Sequence, residues 1–414
     1  MRALRALRAG WLLAGLLAGP AVAQLSPPVE PASGPAPQVS LLTFSPGDIY
    51  WERFGHNALL VRDERGGAWV YNYGIFDFRQ KNFFLNFARG HMLYRLDRDS
   101  LRRTAMSYAS EGRWIYEQRL ALTELQRQAL AGFLSWNAQP ENAEYRYDYF
   151  LSNCSTRVRD ALDQATGGAL KRQLQLPTAN GATFRSEVTR LMAPEWLMAV
   201  GMDLGLGPGV DRPLTQWQHG FIPMELMKSV RGVRVAGDDG IERPLVAAEG
   251  YLLSAERVAE PEQAPQTFWP FFAVGFIVAL LLIALAAVRH NPVARGVLAT
   301  LAMLFFALAA ILGLVLAAGW GLTEHWGMWA NQNLLLLNPL ALLLIPIWAG
   351  AFRRGWRPGS WALRITGLVA LLALSSLALK PLLGVQHNAA WIALLLPVHL
   401  ALATISWRAG RRAV

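Results

Sequence analysis

Among 414 residues there is a single cysteine, Cys154, and it stands at the opening of an amphipathic stretch. In Asn153-Cys-Ser-Thr-Arg-Val-Arg-Asp-Ala-Leu162, Val158, Ala161 and Leu162 recur at helical spacing, while Arg157, Arg159 and Asp160 take the other faces. Asn153 and Ser155 are both favourable N-cap residues. The sequence thus places Cys154 at or near a helix N-terminus. There, free N–H groups and the helix dipole favour a thiolate and should lower its pKa from the ordinary value of about 8.5. A thiolate nucleophile needs a base, normally a histidine. Three are candidates: His56 in Arg53-Phe-Gly-His-Asn-Ala-Leu-Leu-Val61, His91 after Arg89-Gly90, and His219 in Trp217-Gln-His-Gly-Phe221. Lone cysteines and strand histidines also serve as plain core residues, and on these stretches alone that alternative stays open.

The elements that must position these groups read first as β. Leu41–Phe44 is a short strand. Gly55–Val61 and Ala68–Tyr73, joined by Asp63-Glu-Arg-Gly-Gly67, form a hairpin, and Met92–Leu96 and Trp114–Leu120 alternate in the same way. Ser100–Ser110 reads as a helix, and Thr123 caps another that ends near Trp136 before Pro140. The cysteine helix runs to about Ala165. Residues 183–230 are mostly helical with a break at Gly205–Pro213, and a late hairpin follows over Gly232–Leu253. Together they make an α+β domain over 41–262, large enough to bury its own core.

Hydrophobicity is uneven along the chain. A hydrophobic share of 53% with 16% charged residues points to the membrane class. Apolar runs at 268–288, 296–319, 333–352, 361–379 and 388–407 each approach or exceed the roughly 20 residues of a spanning helix, giving an all-α five-helix domain over 266–408. The net charge of +10 is mostly arginine, spread out and without a nucleic-acid motif, which argues against that class of partner. Arginines flank the first and third connections and follow the last helix, whereas Gly319–Gln332 has neither Lys nor Arg. The positive-inside rule then puts the tail 409–414 in the cytoplasm and the α+β domain outside. The start agrees. A basic Met1–Arg8, an apolar Trp11–Leu17 and Ala21-Val-Ala23 read as a signal peptide over 1–23, before a Pro/Ser/Ala-rich leader over 24–40. In an exported chain a lone thiol forms no internal disulfide and must be buried or used. No metal cluster or phosphate-cradling glycine loop is seen in the sequence, so no cofactor or metal is expected.

Several stretches carry a resemblance. Trp51-Glu-Arg-Phe-Gly-His-Asn-Ala58, Tyr71-Asn-Tyr-Gly-Ile-Phe-Asp77, Tyr147-Asp-Tyr-Phe150, Asn153-Cys-Ser-Thr-Arg-Val-Arg-Asp160 and Asp211-Arg-Pro-Leu214 resemble the Lnb-type N-terminal periplasmic domain. The five-helix tail resembles the transmembrane part of the same family. The order Gly-His on a strand, a hairpin, then Asn-Cys opening a helix looks like the permuted papain-like enzymes, such as the NlpC and lecithin retinol acyltransferase types. The resemblance implies a lipoprotein N-acyltransferase of the bacterial inner membrane, with membrane lipids or lipoproteins as substrates, Cys154 as nucleophile and His56 as base. On the paired strand, Asn72 is the candidate orienting group. Arg157 and Arg159 are candidates to hold a head group, with Asn153 and Arg53 beside them, although each could equally be a structural residue. Asp148 is a possible partner of Arg53. Glu324 and His325, in the loop after the second span, should face the α+β domain, and Asn331 and Asn333 should cap the third span. An NlpC-type cell-wall amidase or peptidase and a non-catalytic envelope scaffold remain as alternatives. The sequence sets no oligomeric state.

Overall fold

The computed structural model describes residues 36–63, 65–255, 260–378, 380 and 386–411. The signal peptide, most of the leader and the last three residues of the tail lie outside them. The strands are β1 (Gln38–Phe44), β2 (His56–Arg62), β3 (Ala68–Ile75), β4 (Leu93–Ser100), β5 (Ile115–Leu120), β6 (Glu144–Arg146), β7 (Arg234–Ala236), β8 (Glu242–Pro244) and β9 (Val246–Leu253). Seven of them form one antiparallel sheet in the order β6-β4-β3-β2-β1-β5-β9, and β7 pairs with β8 alone. β1 opens at Gln38, inside the stretch read as leader.

Strand alternation sorts the core onto the two faces of this sheet. Val39, Leu41, Leu59, Val61 and Tyr71 face the cysteine helix, Cys154–Ala165. Leu42, Phe44, Ala58, Leu60 and Val70 face the helix Leu101–Ser110. Because β1 and β2 lie inside the sheet, their alternation is apolar on both faces, and a single slip of register would exchange the two cores. The late hairpin is a correction. Glu242–Pro244 turns back on Arg234–Ala236, whereas Val246–Leu253 crosses to β5. Leu245, fully buried between them, makes the switch by donating its N–H to Val233 O at 2.8 Å.

Five apolar spans follow, at Phe268–Ala287, Pro292–Leu322, Gln332–Phe352, Ser360–Ala378 and Ala389–Arg411. The third departs from the expected continuous helix. It is built of 3₁₀ turns at Gln332–Leu335, Pro339–Leu343 and Gly350–Phe352 around one short α-helix, Leu344–Ala349. Pro339 and Pro346 have no N–H to give, and Asn338 caps the second turn, so the α ladder cannot run through. The second span closes on this irregular backbone at Gly313, where a Cβ would lie 2.2 Å from Leu337 O. Small residues allow such contact between membrane segments.

The α+β domain stands on the second and fourth connections of the bundle. Glu324 N donates to Arg89 O at 2.8 Å, Trp326 Nε1 to Asp148 Oδ2 at 2.7 Å, and Gly207 N to Gly327 O at 2.7 Å. Asn331 Nδ2 reaches the Leu204 and Gly205 carbonyls, both at 2.9 Å, while its Oδ1 caps Asn333 N. Asp148 therefore serves Trp326, and Arg53 pairs instead with Glu195 at 3.0 Å. At the opposite end the first and third connections meet, with Arg295 Nε donating to Phe352 O at 3.0 Å.

Candidate active site

Two glycines explain how the sheet presents its polar residues. Gly55 has φ +72°, and a Cβ there would lie 2.9 Å from Phe44 O. The chain can therefore turn sharply into β2 only with glycine at that position, immediately before His56. In β3 the register with β4 shifts between Asn72 and Ile75, a bulge that projects Gly74, at φ +94°. A Cβ on Gly74 would stand 3.4 Å from Cys154 Cβ, so the bulge closes on the thiol.

The cysteine helix reaches this point through its cap. Asn153 Oδ1 accepts Thr156 N–H at 2.9 Å and Thr156 Oγ1 accepts Asn153 N–H at 2.8 Å, a reciprocal capping box. Ser155, fully buried, lies 2.8 Å from Asn57 Oδ1 and 2.7 Å from Gly220 O. Asn57 is fixed in turn by donating to Thr43 Oγ1 at 2.9 Å. The strand that carries His56 and the helix that carries Cys154 are thus clamped by their neighbouring residues. Ladder pairing of β2 with β3 covers Leu59–Arg62 and Ala68–Tyr71, and Cys154 sits where the two strands have parted.

His56 Nε2 lies 3.2 Å from Asn72 Oδ1, and Asn72 Nδ2 donates to Val70 O at 3.4 Å. The second bond sets the amide so that its oxygen faces the ring. Nε2 then carries the proton and Nδ1 keeps the lone pair, the tautomer a general base requires. Burial pushes the His56 imidazole down to about 4, against the raising effect of the Asn72 bond. Burial also raises the Cys154 thiol. The N–H groups of Asn57, Ser155 and Cys154 itself are directed at the sulfur and offset only part of that rise. The expected depression of the thiol pKa is therefore corrected. The helix-terminal donors are there, but burial outweighs them. Both groups rest neutral near pH 7, and among the described residues no hydrogen bond joins them.

The comparisons with known proteins now bear on this geometry. Residues 32–189 match the Lnb N-terminal periplasmic domain, and residues 262–409 match the Lnb transmembrane domain. The chain belongs to the Lnb family. It is a membrane protein with a periplasmic N-terminal domain and five spans. No curated protein and no solved structure matches the chain.

Within this Lnb-family domain the other candidates separate clearly. His91 is held by Glu324 at 2.8 Å, and His219 lies between Glu187 and Glu225 at 3.5 and 3.6 Å, so neither is placed beside Cys154. Asn153 is buried, with Nδ2 bound to the Tyr149 and Phe221 carbonyls. Arg159 is buried against the Trp217 ring and bound to Asp160 and Trp217 O. Arg53 is tied to Glu195. Arg157 is only half-buried, its guanidinium over the Tyr145 ring at 4.3 Å and its Nε on Ser152 Oγ at 3.1 Å. Of these four residues, Asn153 and Arg159 have their polar atoms committed within the fold, whereas Arg53 and Arg157 are half-buried and only partly engaged. Sequence reasoning gave no role to Asn57, Gly74 or Tyr145, and offered Ser155 only as an N-cap. The signal for Asn57 was present, since it is a polar residue on an apolar strand directly after His56.

Proposed function

We propose that the protein is a cysteine-dependent acyltransferase of the bacterial inner membrane, acting on acyl esters of membrane lipids or lipoproteins, with lipoprotein N-acylation as its reaction. The observation that carries this is the His56–Asn72 bond, its amide set by Val70, on a strand whose next residue, Asn57, is bonded to Ser155 at the start of the helix that Cys154 opens. Cys, His and Asn in these roles form a thiol triad, and their order on strand, strand and helix supports a permuted papain-like arrangement. In the first half-reaction His56 Nδ1 takes the thiol proton as sulfur attacks the ester carbonyl. The C–S bond forms, the C–O bond breaks, and the imidazolium returns its proton to the leaving alcohol. In the second, an amine attacks the thioester, the C–N bond forms, the C–S bond breaks, and the amine proton passes through His56 to the sulfur. N–H groups at the helix start stabilise the oxyanion in both steps. The catalytic part, with β1 from Gln38 included, then runs to 262, and the membrane part covers 266–408. Docking of the periplasmic domain on the second and fourth connections supports a cytoplasmic C-terminus, because the arginine-rich connections then lie inside.

Mass spectrometry of lipoprotein N-termini, from cells with and without the protein, tests this directly. The account expects an added N-acyl group that depends on the protein and on Cys154. Unchanged lipoproteins with altered muropeptides would instead support the amidase alternative. A third check uses Cys154→Ser, which should preserve the fold and remove the acyl product.

A further inference from the structure

The segments that deliver the site residues also deliver exposed apolar side chains. Tyr50 and Trp51 come just ahead of His56, Leu151 just ahead of Cys154, and Phe84 and Leu85 follow Gly74 by one short loop. Phe84 is 76% exposed, and Leu197, on the helix Trp196–Gly205, is 71% exposed. Glu195, which precedes that helix, is joined by its 3.0 Å pair with Arg53 to the segment before His56. Soluble surfaces rarely gather so many large apolar groups on the segments that lead into one site.

Two of these elements are anchored where the bundle emerges. The helix Phe83–Arg89 gives Arg89 O to Glu324 N at 2.8 Å and Phe87 O to His325 Nε2 at 2.9 Å. The helix Trp196–Gly205 ends on Asn331 and Asn333, at the start of the third span. Exposed Lys81 and Arg89 flank the aromatic helix, the pattern of a segment lying among lipid head groups. From there aromatic rings lead back towards the thiol. Phe76 contacts Phe83 at 6.3 Å and Tyr94 at 5.3 Å, and Tyr94 stacks on Tyr147 at 4.1 Å. Tyr94, Tyr147 and Cys154 all pack against the same core.

We infer that this rim is a membrane-inserted surface: Phe83–Arg89 and the first turn of Trp196–Gly205 immerse their apolar faces in the phospholipid leaflet from which the second and third spans emerge. The occupant is lipid because the rim is continuous with the outer ends of the spans. An acyl ester then reaches Cys154 sideways from the bilayer, along the aromatic wall, without crossing water. Lipid contact at the rim does not depend on the catalytic roles of Cys154 and His56, so it can stand or fall separately.

The test uses the full chain in phosphatidylglycerol/phosphatidylcholine nanodiscs, in a Cys154→Ser background. An environment-sensitive fluorophore is attached to Phe84→Cys, Leu85→Cys or Leu197→Cys. Arg65→Cys, at the exposed tip of the β2–β3 hairpin and at the end of β2 remote from His56, is the aqueous control. Quenching is read with spin-labelled lipid and with aqueous iodide. The expected result is at least threefold stronger quenching by spin-labelled lipid at 84, 85 and 197 than at 65, with the reverse order for iodide. Equal iodide quenching at all four sites overturns the inference. So does shielding of the rim from both quenchers, which would mean that a protein partner or a second copy covers it. Leu85→Cys guards against local misfolding in Phe84→Cys.

Discussion

Two polar clusters of the periplasmic domain differ in how far they are satisfied. At the seam with the membrane domain, Arg185 is buried and bonds to Asp211, Asp203 and the carbonyls of Leu206 and Gly207. Asp211 Oδ2 also accepts His387 N–H at 3.1 Å. Every arm of the guanidinium is committed, so the cluster fixes position and has nothing left for a ligand. At the thiol the situation is reversed. His56 has one nitrogen on Asn72, Cys154 receives only backbone N–H groups, and both residues are partly exposed. The difference teaches where chemistry can occur: in the cluster whose surroundings are rigid but whose central groups remain incompletely paired.

The largest expected effect on this contrast comes from Cys154→Ala, which should reduce acyl transfer to background while leaving thermal unfolding nearly unchanged. His56→Ala should lower kcat by about 10²–10⁴-fold, the usual contribution of a general base. Asn72→Ala should cost less, because the ring stays in place and only its tautomer is released. In the seam the signs are exchanged. Arg185→Met should destabilise the fold by about 3–5 kcal/mol, since it removes the guanidinium partner of the buried Asp211 carboxylate. Calorimetry would show this, and transfer per folded molecule should hardly change. A strong loss of intrinsic turnover in Arg185→Met would break the comparison.

The pH dependence gives a smaller, sharper test. A histidine held at about 4 is already neutral near pH 7, so the acid limb of kcat/KM should fall near pH 4 rather than near 6.5. The stability consequence has a definite sign. His56 binds its proton more weakly folded than unfolded, so its contribution is complete above about 6.5 and is lost as pH falls towards about 4. Because burial raises the Cys154 thiol, alkylation by iodoacetamide should be slow at pH 7 and accelerate with alkali. The smallest effect is expected for Arg157→Gln, a rise in KM of a few-fold with kcat unchanged. Arg159→Gln should act through stability, because its guanidinium holds Trp217 O.

Much of this arrangement was legible in the sequence because local rules sufficed. Helical spacing after Asn153 gave the cysteine helix, and alternation gave β2 and β3. What was missed depends on contacts distant in sequence. Glu144–Arg146 is a strand because β4 offers it an edge, and the three-residue segment carries no period of its own. Phe83–Arg89 is assigned no element from the sequence, yet Asn82 at φ 58° and Gly90 at φ 82° bound a helix there. The Asn57–Ser155 clamp spans 98 positions and follows no spacing rule. The thiol pKa was misjudged because the helix terminus is visible in the sequence while the desolvation around it is not.

The central claim is that Cys154 carries the acyl group. Intact mass spectrometry of the full chain, incubated in nanodiscs with a diacylated donor and without an amine acceptor, measures it directly. The account predicts a hydroxylamine-labile increase equal to one acyl chain on the wild type and none on Cys154→Ala. Absence of the adduct while N-acylation proceeds on adding acceptor, or an equal adduct on Cys154→Ala, would contradict it.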